Sequence, residues 1–226
     1  MDNRINIIKN SIPLIDLRAP IEFIKGAFPT SVNIPILNDN QRAQVGIKYK
    51  NQGNDAAERI GFNLLKNERN KKVHLWKKFI NKNPTAYLYC MRGGKRSQIA
   101  KSWLSDDGIN VPIIEGGYKA LRNTAIGILN SVKEDEKKWV ILAGRTGTGK
   151  TDILRDLKSA IDLENLAMHK GSAFGGLFQK QPTAINFENN LASEYIKHNS
   201  NILFLEDESQ RIGKLIIPNI WYRKMK

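Results

Sequence analysis

The stretch TAYLYCMRGGKRSQIAKSWLSDDG, residues 85–108, decides the fold of the first half of the chain. TAYLYC reads as a strand of small and aromatic residues that runs straight into a glycine-containing loop. SQIAKSWLSDDG continues as a helix, with Ile99, Ala100, Trp103 and Leu104 on one face and Gly108 placed to stop it. Upstream, IPLIDLR (12–18) and SVNIPIL (31–37) read as two strands around a short helix over Pro20–Ile24. Residues 38–83 are polar and helical in character, with Ile60, Leu64, His74, Leu75 and Phe79 near helical spacing, and Pro84 ends that run. Downstream, VPIIEGGY (111–118) reads as another short strand, and a helix is expected from Tyr118 to about Leu129. Strands alternating with helices predict an α/β fold built on a parallel sheet.

NSVKEDEKK (130–138) is highly charged and lacks an apolar period. It separates a first domain, 1–130, from a second, 139–226, with 131–138 as the linker. The second domain opens with the strand KWVILAG, the loop GRTGTGKT (144–151) and the helix TDILRDLKS; a helix around Phe187–His198 and a strand in ILFLEDES (202–209) follow. GRTGTGKT fits G-x-x-x-x-G-K-T without a mismatch and sits between strand and helix, where a phosphate loop belongs. Gly144, Gly147 and Gly149 let the backbone wrap so that its amides cradle phosphate oxygens. Lys150 reaches the outer phosphates and Thr151 can hold magnesium. The expected ligand is a small-molecule diphosphate or triphosphate. An apolar strand ending in acid should accompany such a loop, and ILFLEDES supplies Glu206, Asp207 and Glu208. Between them lies HKGSAFGG (169–176), a polar glycine-rich loop expected near the site. Residues 139–226 fall short of the ~150 that a doubly wound domain commonly uses, so the second domain is expected to be incomplete at its C-terminal side.

Composition narrows the class. Apolar residues make up 41% and charged residues 26%, which argues for a folded chain over a disordered one. The 36 Lys and Arg against 22 Asp and Glu leave a net charge of +14, which favours polyanionic partners, nucleic acid first. No apolar run approaches the ~20 residues that cross a bilayer. The start, MDNRINIIKNSIPLIDLR, lacks a signal peptide's apolar core, so a cytoplasmic protein with no membrane partner is expected. A single cysteine excludes an internal disulfide and a cysteine-based metal cluster, and His74, His169 and His198 form no zinc spacing.

That single cysteine, Cys90, ends a strand and precedes a glycine loop and a helix. Backbone N–H groups and a helix N-terminus near a sulfur favour thiolate over thiol. Arg92, Lys95 and Arg96 add positive charge, and Gly93 with Gly94 lets the loop curl so that its amides converge. The pattern is C-x5-R. Two chemistries use it: phosphatases of the tyrosine and dual-specificity type, where the loop holds a phosphate, and rhodaneses, where a similar loop holds sulfur on cysteine.

IDLRAPIEFIKGAFPTSVNIP resembles the rhodanese N-terminal signature through Asp16, Arg18, Glu22, Gly26, Ala27, Asn33, Ile34 and Pro35, and EGGY (115–118) resembles its C-terminal signature. The cysteine loop is one residue longer than in common sulfurtransferases, a length shared with phosphatase relatives of that fold. With the phosphate loop, the resemblance sharpens to the bacterial tRNA 2-selenouridine synthase family, through DLRAPIEF, YKNQGNDAA, CMRGGKRS, EGGYKALR, GRTGTGKT, DLENLAMHKGSAFG and LEDESQRIG. It implies a rhodanese-like parallel-sheet domain followed by a P-loop α/β domain, and a transferase acting on the wobble uridine of 2-thiouridine-containing tRNA. The resemblance implies two co-substrates, geranyl diphosphate and selenophosphate. In that reading Gly144, Gly147, Gly149, Lys150 and Thr151 hold the departing diphosphate, with magnesium on Thr151. Cys90, Arg92 and Arg96, helped by Gly93, Gly94 and Lys95, serve the selenium step. Glu206, Asp207 and the 169–175 loop match family motifs near the phosphate site. The alternatives are an ATP-dependent tRNA sulfurtransferase and an inactive tRNA-binding fragment.

Overall fold

The computed structural model describes residues 3–145, 148–169 and 180–226. In chain order the elements are α1 (Asn3–Lys9), β1 (Leu14–Asp16), α2 (Pro20–Lys25), β2 (Ser31–Asn33), α3 (Asp39–Leu65), α4 (Arg69–Lys82), β3 (Tyr87–Tyr89), α5 (Lys95–Asp106) and α6 (Gly117–Ser131). Then come β4 (Lys138–Leu142), α7 (Lys150–Asp156), β5 (Ala160–Ile161), α8 (Leu163–Ala167), α9 (Ala184–Lys197), β6 (Ile202–Glu206), β7 (Arg211–Ile212), β8 (Leu215–Ile216) and α10 (Asn219–Met225). Two compact units result, one of Ile12–Leu121 and one of Met1–Ser11 with Arg122–Lys226. The expected boundaries, 1–130 and 139–226, leave α1 and the end of α6 on the other side of this division. The reason is that α1 packs on α9, and Arg122 ion-pairs with Glu188 and donates to Asn189 Oδ1.

In the 12–121 unit the sheet order is β2–β1–β3, all parallel, with Ile15 level with Val32 and Leu88. All three residues of β1 are buried, as expected of a parallel strand covered on both faces. Around it Leu17, Ile36, Val73, Trp76, Leu88, Ala100 and Leu104 form the core, and the Trp76 indole N–H is satisfied by the Ile34 carbonyl at 2.9 Å. The polar 38–83 region folds into two helices. α3 starts with a capping box in which Asn38 and Gln41 exchange side-chain to backbone hydrogen bonds of 2.9 Å. It breaks at Gly53, whose φ of 79° suits a residue without Cβ.

VPIIEGGY departs from expectation: only Ile113 bridges, in parallel, to Leu88. Leu88 N–H donates to Pro112 O and Ile114 N–H to Leu88 O, both at 2.9 Å. Pro112 has no N–H with which to continue a ladder, and Gly116 and Gly117, at φ 72° and 59°, turn the chain into α6.

The end of β1 carries a buried ion pair. Asp16 and Arg18 are 0% and 1% exposed. The Arg18 guanidinium reaches Asp16 at 2.6 Å, donates to Gly26 O at 2.7 Å and lies 3.7 Å from the Tyr118 ring centroid. Asn33 Nδ2 donates to Asp16 O and Arg18 O. The signature residues Asp16, Arg18, Gly26 and Asn33 are thus a scaffold that fixes where β1 ends.

The other unit holds a parallel sheet of order β4–β6–β5, with Leu142 level with Glu206. Trp221 packs edge to face against both Trp139 and Tyr195, with Trp139–Trp221 centroids 5.0 Å apart, and the Trp221 indole donates to Leu129 O at 3.0 Å. Among the described residues, no helix is long and apolar enough to cross a membrane.

Candidate functional site: a cysteine loop and a phosphate loop

Cys90 follows β3 directly and is 3% exposed, with Sγ 3.9 Å from Gly94 O. The loop is clamped from behind by the EGGY segment. Tyr118 N–H donates to Cys90 O at 2.8 Å and Lys119 N–H to Met91 O at 3.0 Å. Gly117 is obligatory here, since a Cβ would come within 2.3 Å of Cys90 O and 2.5 Å of Gly93 N. Gly93, at φ 67°, is similarly closed in, since a Cβ there would come within 2.9 Å of Ile114 O. The loop's shape is therefore held by backbone contacts at both of these glycines.

The three expected cations have different surroundings. Arg96 is bound bidentately to Glu22, at 2.6 and 3.2 Å, and Glu22 in turn accepts from Ala19 N–H at 2.9 Å. Lys95 pairs with Glu58 at 2.9 Å on the surface, an exposed contact of little strength that an incoming anion can displace. Arg92 is exposed and makes no ion pair among the described residues. Glu22 stands in the sequence as a signature residue, and the fold brings it to Arg96 across seventy-four positions.

Burial alone would raise the Glu22 carboxyl, but the Arg96 guanidinium and then the Ala19 N–H outweigh it and hold it below the ordinary 4.5. A depressed folded-state value means that the pair's stabilisation is fully present above pH 4.5 and lost as pH falls through the lowered value. Glu22→Gln is expected to cost about 2 kcal/mol at pH 7. Urea melts at a series of pH values should show that difference closing only below the ordinary carboxylate range.

Cys90, Arg92, Gly94, Lys95 and Arg96 line a cavity of about 680 Å³, contained within the 12–121 unit and lined also by residues of α3. Glu22, Arg42, Asn54 and Glu58 also contribute to its lining.

At the second loop, Gly149 caps α7 in a left-handed conformation, φ 80°. Lys150 Nζ folds over the loop and donates to Gly144 O at 2.7 Å and Arg145 O at 3.1 Å, while Thr148 Oγ1 donates to Arg145 O at 2.8 Å. Gly147 lies outside the described residues, as does the 170–175 part of the expected 169–175 loop; His169 donates its N–H to Glu164 O at 3.0 Å, past the end of α8.

Thr151 hydrogen-bonds the Glu206 side chain. Carboxylate oxygens of Glu164, Glu206 and Glu208 lie within 4.8 Å of one another, and Glu206 Oε1 is buried with no hydrogen-bond partner among the described residues. Burial first, then the Glu164 and Glu206 charges, push Glu208 up to about 7. Burial also raises Glu206, with the Thr151 hydroxyl opposing it. Three crowded carboxylates with an orphaned oxygen beside a threonine hydroxyl are a donor set that suits a hard divalent cation.

Asp207 is not brought to this cluster. The alternation along β6 sends it the other way, where its N–H donates to Leu142 O at 3.0 Å and its carboxylate pairs with Lys226. Glu164 takes part instead, presented by α8, whose Asp162 cap accepts from Asn165 N–H at 2.8 Å. The sequence signal for it was there in DLENL, an Asp cap with an acid in the first turn.

The two units define a class: a rhodanese-like cysteine-loop domain joined on one chain to a P-loop α/β domain. Residues 3–124 match the family model described as rhodanese-like domain, and residues 137–226 the one described as tRNA 2-selenouridine synthase AAA domain. A tRNA 2-selenouridine synthase of Shewanella sediminis (strain HAW-EB3) is 46% identical over 224 residues, covering 97% of this chain and 60% of that protein. One from Shewanella halifaxensis (strain HAW-EB4) is also 46% identical, covering 97% of this chain and 61% of that protein. A solved N-terminal domain from a Clostridium difficile 630 protein described as ATP/GTP binding is 30% identical with a TM-score of 0.49, covering 51% of this chain and 89% of that one. The chain belongs to the rhodanese-like domain family through residues 3–124 and carries over residues 137–226 the AAA domain of tRNA 2-selenouridine synthases; it spans about 60% of the length of the curated relatives it matches.

Proposed function

We propose that this chain converts the wobble 2-thiouridine of tRNA to 2-selenouridine in two steps, one at each anion loop. The observation that carries the reading is that one chain holds both a phosphate loop with a carboxylate cluster and a buried cysteine that lines a cavity together with Arg92, Lys95 and Arg96. Its relatives are named for that product.

In the first step the base sulfur attacks C1 of geranyl diphosphate. The C–O bond breaks and diphosphate leaves with the electron pair. Lys150 and the loop amides stabilise the developing charge on the leaving group, so no ATP needs to be hydrolysed. Thr151, Glu164, Glu206 and Glu208 would hold a magnesium ion, which neutralises diphosphate charge when bound. Occupation by a cation also favours the ionised form of Glu208, which burial first and the Glu164 and Glu206 charges next push up to about 7.

The second step replaces the geranylthio group by selenium. Attack of the Cys90 thiolate on the phosphorus of selenophosphate breaks the P–Se bond, frees selenide and leaves a phosphorylated cysteine that water returns to thiol and phosphate. Selenide adds at C2 of the base and the geranylthiolate departs. Selenium stays at the selenide level throughout, so the sequence needs no oxidant. Arg92, and Lys95 once released from Glu58, are the cations available for the selenophosphate oxyanions. Arg96 positions the loop through Glu22. The +14 charge suits the tRNA backbone, and the reading places the chain in the cytoplasm with its tRNA.

The test is nucleoside mass spectrometry on 2-thiouridine tRNA incubated with the chain, geranyl diphosphate and selenophosphate. Geranylated and then selenated uridine is expected. Lys150→Ala should reduce geranylation at least about a hundredfold while still selenating tRNA that is already geranylated. Unchanged tRNA that nevertheless binds would make this chain a tRNA-binding fragment, and ATP-dependent thiolation of unthiolated tRNA in a parallel incubation with a sulfur donor would make it a sulfurtransferase.

A further inference from the structure

The cavity above Cys90 is far larger than its anion requires. A phosphate-sized anion needs on the order of 60–90 Å³, two or three waters' worth, against about 680 Å³ here. Cavities of about 300–1,000 Å³ are the size that holds a drug-sized organic ligand. Most of the lining surface is apolar, from Ile36, Leu37, Val45, Leu65, Tyr49 and Phe62, and α3 adds Arg42, Asn54 and Glu58. Tyr49 and Phe62 are 61% and 45% exposed, large apolar side chains left in water at a site they line. Gly46 and Gly61 thin the α3 wall, and a Cβ at Gly46 would meet nothing within 4 Å. Of the polar groups, Glu58 pairs with Lys95 and Glu22 with Arg96, both cations of the cysteine loop.

We propose that this cavity binds an aliphatic or isoprenoid chain of roughly ten carbons whose sulfur-bearing end lies at the cysteine loop. The inference rests on the two-step reading above and deepens it: the chain is the one the first step attaches to the base. Seated there, it directs the C2–S bond towards the place where Cys90 frees selenide. The phosphate loop then holds the isoprenoid only through its diphosphate. The apolar tag works as a handle by which the second site takes up the product of the first.

The test is equilibrium binding, by titration calorimetry, of 2-thiouridine nucleosides carrying S-methyl or S-geranyl groups. Each buried methylene contributes about three- to fourfold in affinity, so the S-geranyl nucleoside should bind at least about a hundredfold more tightly than the S-methyl one. Gly46→Leu, which fills the cavity where no atom stands in the way, should remove that preference, and Lys150→Ala should keep it. Equal affinity for the two nucleosides would overturn the proposal. So would a preference that survives Gly46→Leu and disappears in Lys150→Ala, because it would put the chain at the phosphate loop. Selenation scored by mass spectrometry on the same proteins keeps the two ideas apart: tRNA selenated by the parent but with no chain preference removes the cavity proposal and leaves the two-step reading standing.

Discussion

Cys90→Ser is expected to let geranylated tRNA accumulate and to lower selenation by at least about a thousandfold. A serine hydroxyl at the same place stays protonated at neutral pH and cannot take the phosphoryl group as a thiolate does. The substitution is nearly isosteric in a position 3% exposed, so the thermal midpoint should move little and the loss should be one of chemistry. Phosphorus NMR adds a second readout. With the parent chain, selenophosphate should yield phosphate; attack at selenium instead would release phosphite, and its appearance would remove the phosphoryl step while leaving Cys90 essential.

The largest effect on stability is expected from Arg18→Ala. It strands Asp16, 0% exposed, without its cation, and breaking a buried pair in this way costs about 3–5 kcal/mol. For a unit of this size the midpoint should fall by on the order of 15 °C or more, read by circular dichroism. Replacing both partners, Asp16→Leu with Arg18→Met, should recover much of that loss because no unpaired charge remains. A double variant no better than Arg18→Ala would mean that the Gly26 and Tyr118 contacts of Arg18, and not its charge, hold the end of β1.

Elements with strong apolar period or punctuation were legible in the sequence. β1, β3, β4 and β6, the helix after the cysteine loop and its stop at Gly108 all fall where the sequence places them. Two-residue strands such as β5, β7 and β8 carry no period to detect, and the break at Gly53 was hidden inside a polar run. VPIIEGGY misled because its apolar residues look like a strand, whereas Pro112 removes a donor and paired glycines turn the chain.

Within the sites, what is contiguous in sequence was readable as a local shape: the turn after Cys90, and the left-handed Gly149 that opens α7. What depends on long-range pairing was not. Glu22 with Arg96, Lys95 with Glu58, and Glu164 with Glu206 and Glu208 are meetings that only the folded chain makes. Asp207 and Glu208 could not be told apart by composition, and the pleat separates them.

The division of labour between the two loops is tested most directly by complementation in a fixed order. 2-Thiouridine tRNA is treated first with Cys90→Ser chain and geranyl diphosphate, purified, and then given Lys150→Ala chain and selenophosphate. The account predicts 2-selenouridine in the nucleoside mass spectrum after the second treatment, and none when the two variants are used in the opposite order. Geranylated tRNA that the Lys150→Ala chain leaves unchanged, although the parent chain selenates it, would contradict the account, because both loops would then be needed for the selenium step.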